Sequence, residues 1–453
     1  MTQRTSLALL LLLGAAIAGP VEYEFIPLPG LGSSNDAGAL AVNDRRQLSG
    51  TAFPNLVPDV RAVLWAVAPD NSATVQDIGL VAGRLMWGGG LNNRGQLVGQ
   101  SGPGGDGFAF LWTGGNPVEL ENGFDLLGTG TFNSFASVIN DTGLVSGAAS
   151  GSASQDFGPW HAVVWDPAGA MHDLGTLGGE WSFGYGVNER NMTCGRSEFE
   201  LTSFATRGFR WDPDTGMEKL DILPGLGHVS SQGKGMNNHG DVAGISSAQI
   251  FMFGPNSLGV VWYADGTTRK LDAIGTPGVD DIYSDAGDIN DAGWVVGTSS
   301  LGTFLEVAHP ILWLPDGSRV DFMSLLPADI TWASAVSVSN TGWISGLMRK
   351  GSLFTSPSEA FVLRPTPATQ IGMLMDQVDR LDLGGIGRGL NLQLHAALRK
   401  LTDGRSRNDR AAAALLSIFA LEVRLLERWR RIDPVEADSL FAVVNDALAT
   451  LRQ

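Results

Sequence analysis

A short pattern of apolar and polar residues recurs seven times along the chain. In each copy Ala or Gly stands four positions before a polar residue, an apolar residue directly precedes it, and a glycine follows seven positions after it. The polar residues are Asn43, Asn92, Asn140, Asn188, Asn237, Asn290 and Ser339. Successive copies are 48–53 residues apart. A period of this length is typical of solenoids and propellers.

A second pattern runs out of phase with the first. It is a short apolar run that ends in Trp65, Trp112, Trp165, Trp211, Trp262 and Trp313, with Leu363 in the seventh place. Each period holds four short runs of strand character, separated by Gly, Asn, Asp and Pro. No run between Tyr23 and Leu363 is long enough for an amphipathic helix. Residues 23–364 are therefore predicted to form a mainly β domain, a seven-bladed β-propeller of four-stranded blades.

The order of strands within a blade follows from side-chain size. The Ala/Gly run is predicted to be innermost, because strands that converge on one axis leave no room for large side chains. The Asn-Asp-x-Gly stretches predict tight turns that need a left-handed residue, which glycine supplies, as at Gly95 and Gly143. Asn191 is the next best residue type at this turn position, and Arg46 is the exception. The first strand of the chain has the pattern of an outermost strand of a blade, and the last strand of the repeats has the pattern of a third strand. Pairing of these two strands would complete the seventh blade and close the ring.

The periodicity changes after the repeats. Residues 365–369 are predicted to be a short stiff linker, and residues 370–453 a small all-α helical bundle. Leu416, Phe419 and Val423 lie at helical spacing on one face. Asp433 followed by a proline and, three residues on, by Glu436 predicts a capped helix start.

Composition and charge limit the partners and the location. The net charge is −17, and most of the acidic excess lies in the repeats, which argues against nucleic acid or an anionic membrane as partner. Residues 1–18 predict a secretory signal peptide: a basic start at Arg4, an apolar run and a small-residue cleavage site. No segment is predicted to span a membrane. The expected location is secreted, extracellular or cell-surface, with the periplasm as another possibility.

Two groups of residues are candidates for binding. Asp280, Asp281, Asp285 and Asp288 lie beside the irregular spacing of 53 and could bind Ca²⁺, which takes oxygen ligands, although a solvated acidic loop is the alternative and no other cofactor is expected. Aromatic residues follow the loops that lead into the innermost strands: Trp87, Phe132, Phe135, Trp181, Tyr283 and Trp332. Flat rings there could bind the CH faces of sugars, or they could simply pack over the axis.

Three stretches resemble a known family. Trp160–Trp165, Asp173–Gly179 and Val187-Asn188 look like the bacterial extracellular repeat (HAF) family, named for its His-Ala-Phe motif. Residues 371–452 resemble the FIMAH domain, a helical module of bacterial extracellular proteins. The first resemblance implies a propeller and an extracellular location without an agreed activity. The second implies a surface or adhesion-type accessory module.

The function predicted from these features is binding, adhesion or envelope structure, with a glycan or an envelope or surface protein as partner at the propeller face. The alternative is a secreted polysaccharide-acting lyase or hydrolase with its site at the propeller axis. An enzyme would need carboxylates converging there, and the candidates are Asp285, Asp288 and Glu180. No Gly-x-Ser-x-Gly nucleophile elbow occurs in the sequence. A non-enzymatic role is favoured because the repeats differ at their polar loop positions, and fold alone does not assign function.

Overall fold

The computed structural model describes residues 21–55, 59–81, 83–102, 107–121, 133–150, 159–200, 205–248, 256–274, 282–301, 307–351, 357–403 and 407–452. These residues are mainly β, followed by four helices. The predicted signal peptide at 1–18 lies outside the described residues.

The strands of the first half are β1 Tyr23–Pro27, β2 Ala37–Val42, β3 Gln47–Ala52, β4 Arg61–Val67, β5 Ala73–Asp77, β6 Met86–Leu91, β7 Leu97–Ser101, β8 Phe108–Trp112, β9 Val118–Glu119, β10 Asn133–Ile139, β11 Val145–Ser150, β12 Trp160–Trp165, β13 Met171–Asp173, β14 Ser182–Val187, β15 Thr193–Glu198, β16 Thr206–Asp212 and β17 Gly216–Leu220. Those of the second half are β18 Ser230–Met236, β19 Val242–Ser247, β20 Ser257–Trp262, β21 Thr268–Leu271, β22 Ile282–Ile289, β23 Val295–Leu301, β24 Ala308–Trp313, β25 Arg319–Asp321, β26 Trp332–Val338, β27 Ile344–Arg349 and β28 Glu359–Pro365. The helices are α1 Pro367–Arg380, α2 Gly385–Leu401, α3 Arg407–Arg428 and α4 Pro434–Leu451.

The strands fall into antiparallel sets that follow the sequence period. Repeats 1 to 4 are separate four-stranded sheets: β2–β5, β6–β9, β10–β13 and β14–β17. Repeats 5 to 7 are β18–β21, β22–β25 and β26–β28 with β1. Single parallel pairs, Ser257 with Tyr283 and Ala308 with Trp332, join these three into one sheet of twelve strands. The predicted strand order within each set is confirmed, with the Ala/Gly strand first and the Trp strand third.

The first and last strands of the β region pair with each other. β1 runs antiparallel to β28, from Tyr23 opposite Pro365 to Pro27 opposite Phe361. The predicted pairing between the two ends of the repeat region is therefore present. It gives repeat 7 its outer strand.

Small residues in the inner strands allow close approach between repeats. A Cβ atom on Gly90 would lie 2.5 Å from the Cα of Val138 in the next repeat. One on Gly186 would lie 2.6 Å from the buried sulfur of Cys194 and 3.1 Å from the carbonyl oxygen of Lys234. These distances leave no room for a side chain at either glycine, which accounts for small residues at these positions of the inner strands.

The tryptophans of the second pattern fasten each repeat to the one before it. In four repeats the indole Nε1 donates to a backbone carbonyl just beyond the outer strand of the preceding set: Trp65 to Pro29 at 2.8 Å, Trp165 to Glu121 at 2.8 Å, Trp262 to Asp221 at 2.8 Å and Trp313 to Asp272 at 2.9 Å. All four rings are buried. Each therefore fills the core while its polar edge remains hydrogen-bonded.

The Asn of the first pattern links neighbouring repeats at their turns. Its Nδ2 donates to the backbone carbonyl of the corresponding residue in the next repeat, at 2.8–3.2 Å. The series of donors begins with Asn43 and ends with Asn290, which donates to Ser339. The same residue stabilises its own turn: the Oδ1 of Asn188 accepts from the backbone N–H groups of Arg190 and Met192, each at 3.0 Å. The left-handed residues predicted in these turns are confirmed, for example Gly143 (φ 96°) and Asn191 (φ 62°), and Arg46, the exception in residue type, is left-handed as well (φ 63°).

Replacing Asn188 by alanine is expected to lower the free energy of unfolding by about 2–4 kcal/mol, because buried donors and acceptors lose their partners. Asn188 is 3% exposed and makes hydrogen bonds both within its repeat and to Asn237. Urea unfolding followed by tryptophan fluorescence measures the change. The control is Asn116→Ala, at an exposed position. An equal effect of the two substitutions would contradict a linking role.

The four helices pack directly against the repeats. One core cluster contains Trp294 and Phe322 from the repeats together with Ile371, Leu416 and Val444 from the helices. The predicted linker at 365–369 is wrong, because β28 continues to Pro365 and α1 starts at Pro367, with Thr366 as its N-cap. A proline at the first helical position favours helix initiation. The predicted capping box at Asp433 and Glu436 is confirmed.

None of the helices in the described part of the chain has both the length and the apolar character that crossing a membrane requires.

Candidate active site between the repeats and the last helix

A chamber of about 930 Å³ lies between the turns of the seven repeats and helix α4. Its wall on the repeat side is formed by the turn residues, including the Asn of each repeat and the residue after it. The wall on the helix side includes Asp438, Phe441 and Asn445 of α4. Sites at the boundary between two structural units are frequent in enzymes and binding proteins.

The residue after each patterned Asn or Ser forms a second ring of hydrogen bonds. These residues are Asp44, Asn93, Asp141, Glu189, Asn238, Asp291 and Asn340. The backbone N–H of each of the first six donates to the side-chain oxygen of the next, at 2.6–3.0 Å. The N–H of Thr341 donates to Asp44 Oδ1 at 3.1 Å, which returns the ring to repeat 1. Four carboxyl groups, Asp44, Asp141, Glu189 and Asp291, thereby face one chamber; we call them the carboxyl ring.

Two members of the carboxyl ring, Glu189 and Asp44, bind a proton more tightly than exposed carboxyls do. The pKa of Glu189 is raised to about 7, mainly by burial and also by the nearby charges of Asp141, Asp291 and Asp44, while the hydrogen bond from the Asp141 N–H acts in the opposite direction. Burial also raises the pKa of Asp44 to about 6. Asp288, which lines the same chamber, has its pKa raised to about 6, again by burial. Carboxyls shifted in this way are typical of functional sites.

Glu189 and Asp141 are suited to opposite roles. Glu189 is partly protonated near neutral pH and can donate a proton. Asp141 is held as an acceptor: its Oδ1 receives the backbone N–H of Asn93 at 2.6 Å, and its Oδ2 receives the Nδ2 of Asn93 at 2.9 Å. Glu189 also accepts the backbone N–H of Asp141 at 3.0 Å, so a proton donor and a proton acceptor lie on neighbouring repeats, as general acid–base catalysis requires.

Helix α4 is fixed over the chamber by one buried carboxylate. Asp446 accepts from Arg46 Nε at 2.7 Å, from Trp343 Nε1 at 3.0 Å and from Gln370 Nε2 at 2.7 Å. The contact therefore joins repeats 1 and 7 to helices α1 and α4. Because all three donors converge on one side chain, Asp446 positions the helix side of the chamber.

Further polar contacts fix the helices on repeats 4, 5 and 6. Ion pairs join Arg190 to Asp433 and Arg380 to Asp241. Trp294 Nε1 donates to Asp376 at 2.6 Å. Among the described residues no hydrogen bond or ion pair joins the helices to repeats 2 and 3, where Arg94 lines the chamber. This side is the candidate entrance.

The aromatic residues predicted to form one platform separate in the structure. Tyr283 and Trp332 are buried, at 1% and 4% exposure, so their prediction as a ligand platform is wrong. Both are strand residues whose side chains point into the core between repeats. Phe135 and Trp181 lie in one cluster of rings with Phe183. Trp87 is half-buried in β6, and Phe132 lies outside the described residues.

The predicted calcium ligands also separate. Asp285 is paired with Lys234, whose Nζ lies 2.6 Å from both carboxylate oxygens. Asp288 accepts from Ser337 Oγ at 2.8 Å and from the Val338 N–H at 3.0 Å, and it lines the chamber. Asp280 and Asp281 lie outside the described residues. Within the described ranges, no group of three or more His, Cys, Asp or Glu side chains could hold a metal ion.

Sequence reasoning did not identify the carboxyl ring, although a signal was present. The position after each patterned residue carries a carboxyl or an amide in all seven copies. A polar residue repeated at that place indicates a shared structural position, and the four acidic members among the seven could have indicated a site. Glu180, the third candidate for an enzyme, is exposed and lies outside the chamber lining.

No family model and no curated protein matches the chain. Among solved structures, puromycin hydrolase is similar with a TM-score of 0.47 and 11% identity, covering 73% of this chain and 54% of that one. The acylaminoacyl peptidase of Pyrococcus horikoshii has a TM-score of 0.43 and 12% identity, covering 73% and 51%. The tricorn protease has a TM-score of 0.39 and 9% identity, covering 94% and 42%. The chain thus spans about half the length of the structures it matches.

These comparisons correct two expectations from the sequence. The assignment to the HAF-repeat family with a FIMAH-like module is wrong, because the neighbours are named hydrolase, peptidase and protease and no family model matches. The preference for a non-enzymatic role is contradicted by the same names. What the neighbours share with this chain is β architecture, so the chemistry has to be argued from the residues of this chain.

Proposed function

We propose that this protein is a hydrolytic enzyme whose acid and base are carboxyl groups of the chamber. The observation that carries the proposal is Glu189, with its pKa raised to about 7, beside Asp141 in a chamber of about 930 Å³. This volume lies within the range of small-molecule sites, roughly 300–1,000 Å³. The expected substrate is therefore a small polar molecule or the end of a longer chain.

The proposed reaction uses one water molecule. Asp141 takes a proton from the water as its oxygen attacks the substrate carbon, while Glu189 gives its proton to the leaving oxygen or nitrogen as that bond breaks. The catalyst returns to its starting state when a proton passes from Asp141 back to Glu189. Burial keeps the Glu189 proton bound, and repulsion from the remaining ring members, Asp44 and Asp291, adds to this effect.

The entrance that we propose lies between α4 and repeats 2 and 3. Arg45 and Arg94 are exposed, and both line the chamber. Neither guanidinium belongs to an ion pair within the part of the chain that the structure describes. A substrate would pass these two cations before reaching the carboxyl ring.

We also infer that the seven repeats are the blades of one closed propeller over residues 23–364, with residues 370–453 as a helical unit that packs against it. The return of the second hydrogen-bond ring from Thr341 to Asp44 and the pairing of β1 with β28 support this inference. Export directed by residues 1–18, to the cell surface or beyond, stays a prediction.

The experiment that tests the proposed function is a hydrolysis screen with a variant of the base. Purified protein is assayed on chromogenic glycosides, esters and aminoacyl anilides, and we expect turnover of one class. Asp141→Asn is expected to lower the rate by about 10²–10⁴, because general base catalysis is lost. Glu180→Gln, at an exposed site, is the matched control and should leave the rate unchanged.

Two results would overturn the proposed function. One is no turnover of any class above the rate in buffer. The other is turnover that Asp141→Asn leaves unchanged, since the chemistry would then lie elsewhere.

A further inference from the structure

Five aromatic rings form a continuous cluster between repeats 3 and 4. Phe183 is at its centre: its ring stacks with those of Phe135, Trp160 and Tyr185, with centroids 6.2, 6.1 and 6.4 Å away. The edge of Trp181 lies 6.5 Å from the same ring. We call these five residues the aromatic stack. Trp160, Phe183 and Tyr185 were not among the residues predicted from the sequence.

The aromatic stack differs from the core aromatics of the same repeats. Trp165 and Phe209 are fully buried, whereas all five members of the stack keep part of their surface exposed. Three of the interplanar angles are small, at 18°, 26° and 9°. Nearly parallel rings that remain partly exposed offer flat apolar surface to a ligand.

An arginine without a carboxylate partner lies over the stack. The guanidinium carbon of Arg196 is 4.9 Å from the Phe183 ring centroid and 6.0 Å from that of Tyr185. Its Nε is buried and has no hydrogen-bond partner. Across the described residues no ion pair includes Arg196, in contrast to Arg210 one strand away, which pairs with Glu218 at 2.6 Å. The position of Arg196 is therefore fixed by the rings, and its charge is not neutralised by an ion pair.

Polar groups continue from the stack onto the next inner strand. The carbonyl of Lys234 in repeat 5 approaches the backbone beside Tyr185, as shown by its 3.1 Å distance from a Cβ placed on Gly186. The side chain of Lys234 pairs with Asp285 in repeat 6, and Tyr283 donates its hydroxyl to Asp285 at 3.2 Å. Charged hydrogen-bonding groups thus follow the rings around the inner strands.

The aromatic stack lies away from the chamber. Phe183, at the centre of the stack, lies in β14, and Asn188 follows the end of that strand five residues later, which places the two roughly 15 Å apart. Helix α4 covers the end with Asn188, and the rings are toward the other end. A ligand on the stack would therefore not compete for the chamber of the carboxyl ring.

We propose that the aromatic stack and Arg196 bind a carbohydrate that carries a carboxylate, a uronate-containing chain. The rings would pack against the CH face of a pyranose ring, and the guanidinium of Arg196 would donate charge-assisted hydrogen bonds to the carboxylate oxygens. A neutral sugar would leave the cation without a partner. This proposal does not depend on the proposed hydrolysis.

Binding of oligogalacturonate and of a neutral maltooligosaccharide of equal length to the full chain tests the proposal. We expect the wild type to bind the acidic chain at least tenfold more tightly. Trp160→Ala should weaken binding of the acidic chain by about tenfold or more, because part of the stacking surface is removed. Arg196→Gln should abolish the preference for the acidic chain, and Arg196→Lys should restore part of it.

The same measurements on Trp429→Ala provide the control, because that exposed ring lies just after helix α3, away from the aromatic stack. Thermal unfolding of each variant separates lost binding from lost folding. Equal affinity for the acidic and the neutral chain, or acidic binding that neither Trp160→Ala nor Arg196→Gln weakens in a folded variant, would overturn the proposal. Catalytic assays have no part in this test, so its failure and that of the proposed hydrolysis are distinguishable.

Discussion

Replacing Asp446 with alanine is expected to lower the free energy of unfolding by about 3–5 kcal/mol, because removal of one partner leaves a buried charge uncompensated. Arg46, Trp343 and Gln370 all donate to this carboxylate, and the side chains of Arg46 and Asp446 are only 10% and 8% exposed. The loss of stability is expected mainly at the contact between helix α4 and repeats 1 and 7. Hydrogen exchange of α4 should therefore accelerate more than exchange of repeat 3.

Urea unfolding and hydrogen exchange measure this effect, with Asp438→Ala as the matched control. Asp438 lies on the same helix and lines the same chamber, but it is exposed. The double variant Arg46→Met with Asp446→Leu should recover part of the lost stability, because no unpaired charge remains buried. If Asp446→Ala were no more destabilising than Asp438→Ala, Asp446 would not be what fixes the helix.

Glu189→Gln is expected to lower kcat of the proposed hydrolysis by about 10²–10⁴, the usual contribution of general acid catalysis. Glutamine keeps an oxygen that can accept the N–H of Asp141, so the ring geometry is retained, but it has no proton to give. The wild-type rate should fall as pH rises through about 7, because Glu189 loses its proton there. Glu189→Gln should lack this fall.

Stability provides an independent check on Glu189. Its pKa is higher in the folded chain, about 7, than the ordinary value of 4.5, so the folded state holds this proton more tightly than the unfolded state. The free energy of unfolding should therefore decrease as pH rises from about 4.5 to 7. Glu189→Gln should reduce that slope. An unchanged slope together with an unchanged rate profile would contradict the assignment of the acid.

The repeat architecture could be predicted because its causes are local. The small inner residues and the turn residues are each required by the local geometry of one strand or one turn, and they recur with the period of the repeats. Asn191 is an example, because its φ of 62° is needed by its own turn. The pairing of β1 with β28 followed from counting strand types. The linker prediction failed because Pro367 was interpreted as a stiffening residue, although the same residue begins α1.

The candidate site was harder to predict because it is assembled from distant segments. Asp141 and Glu189 are separated by 48 residues in sequence and meet only when two repeats are adjacent. Position near a loop also did not indicate side-chain direction: Tyr283 and Trp332 point inward, while Phe183, inside a strand, lies partly exposed at the centre of the aromatic stack. Burial and neighbours, which set the pKa of Glu189, depend on the whole fold.

The second hydrogen-bond ring has an evolutionary consequence. Its last link runs from Thr341 to Asp44, and α4 is fixed at once to Arg46 and Trp343, on either side of that link. Duplication or loss of one unit of the gene would separate these partners and change the distance that the helix has to bridge. Single substitutions can therefore accumulate within each unit, whereas the number of units can change only if the helical region is remodelled at the same time.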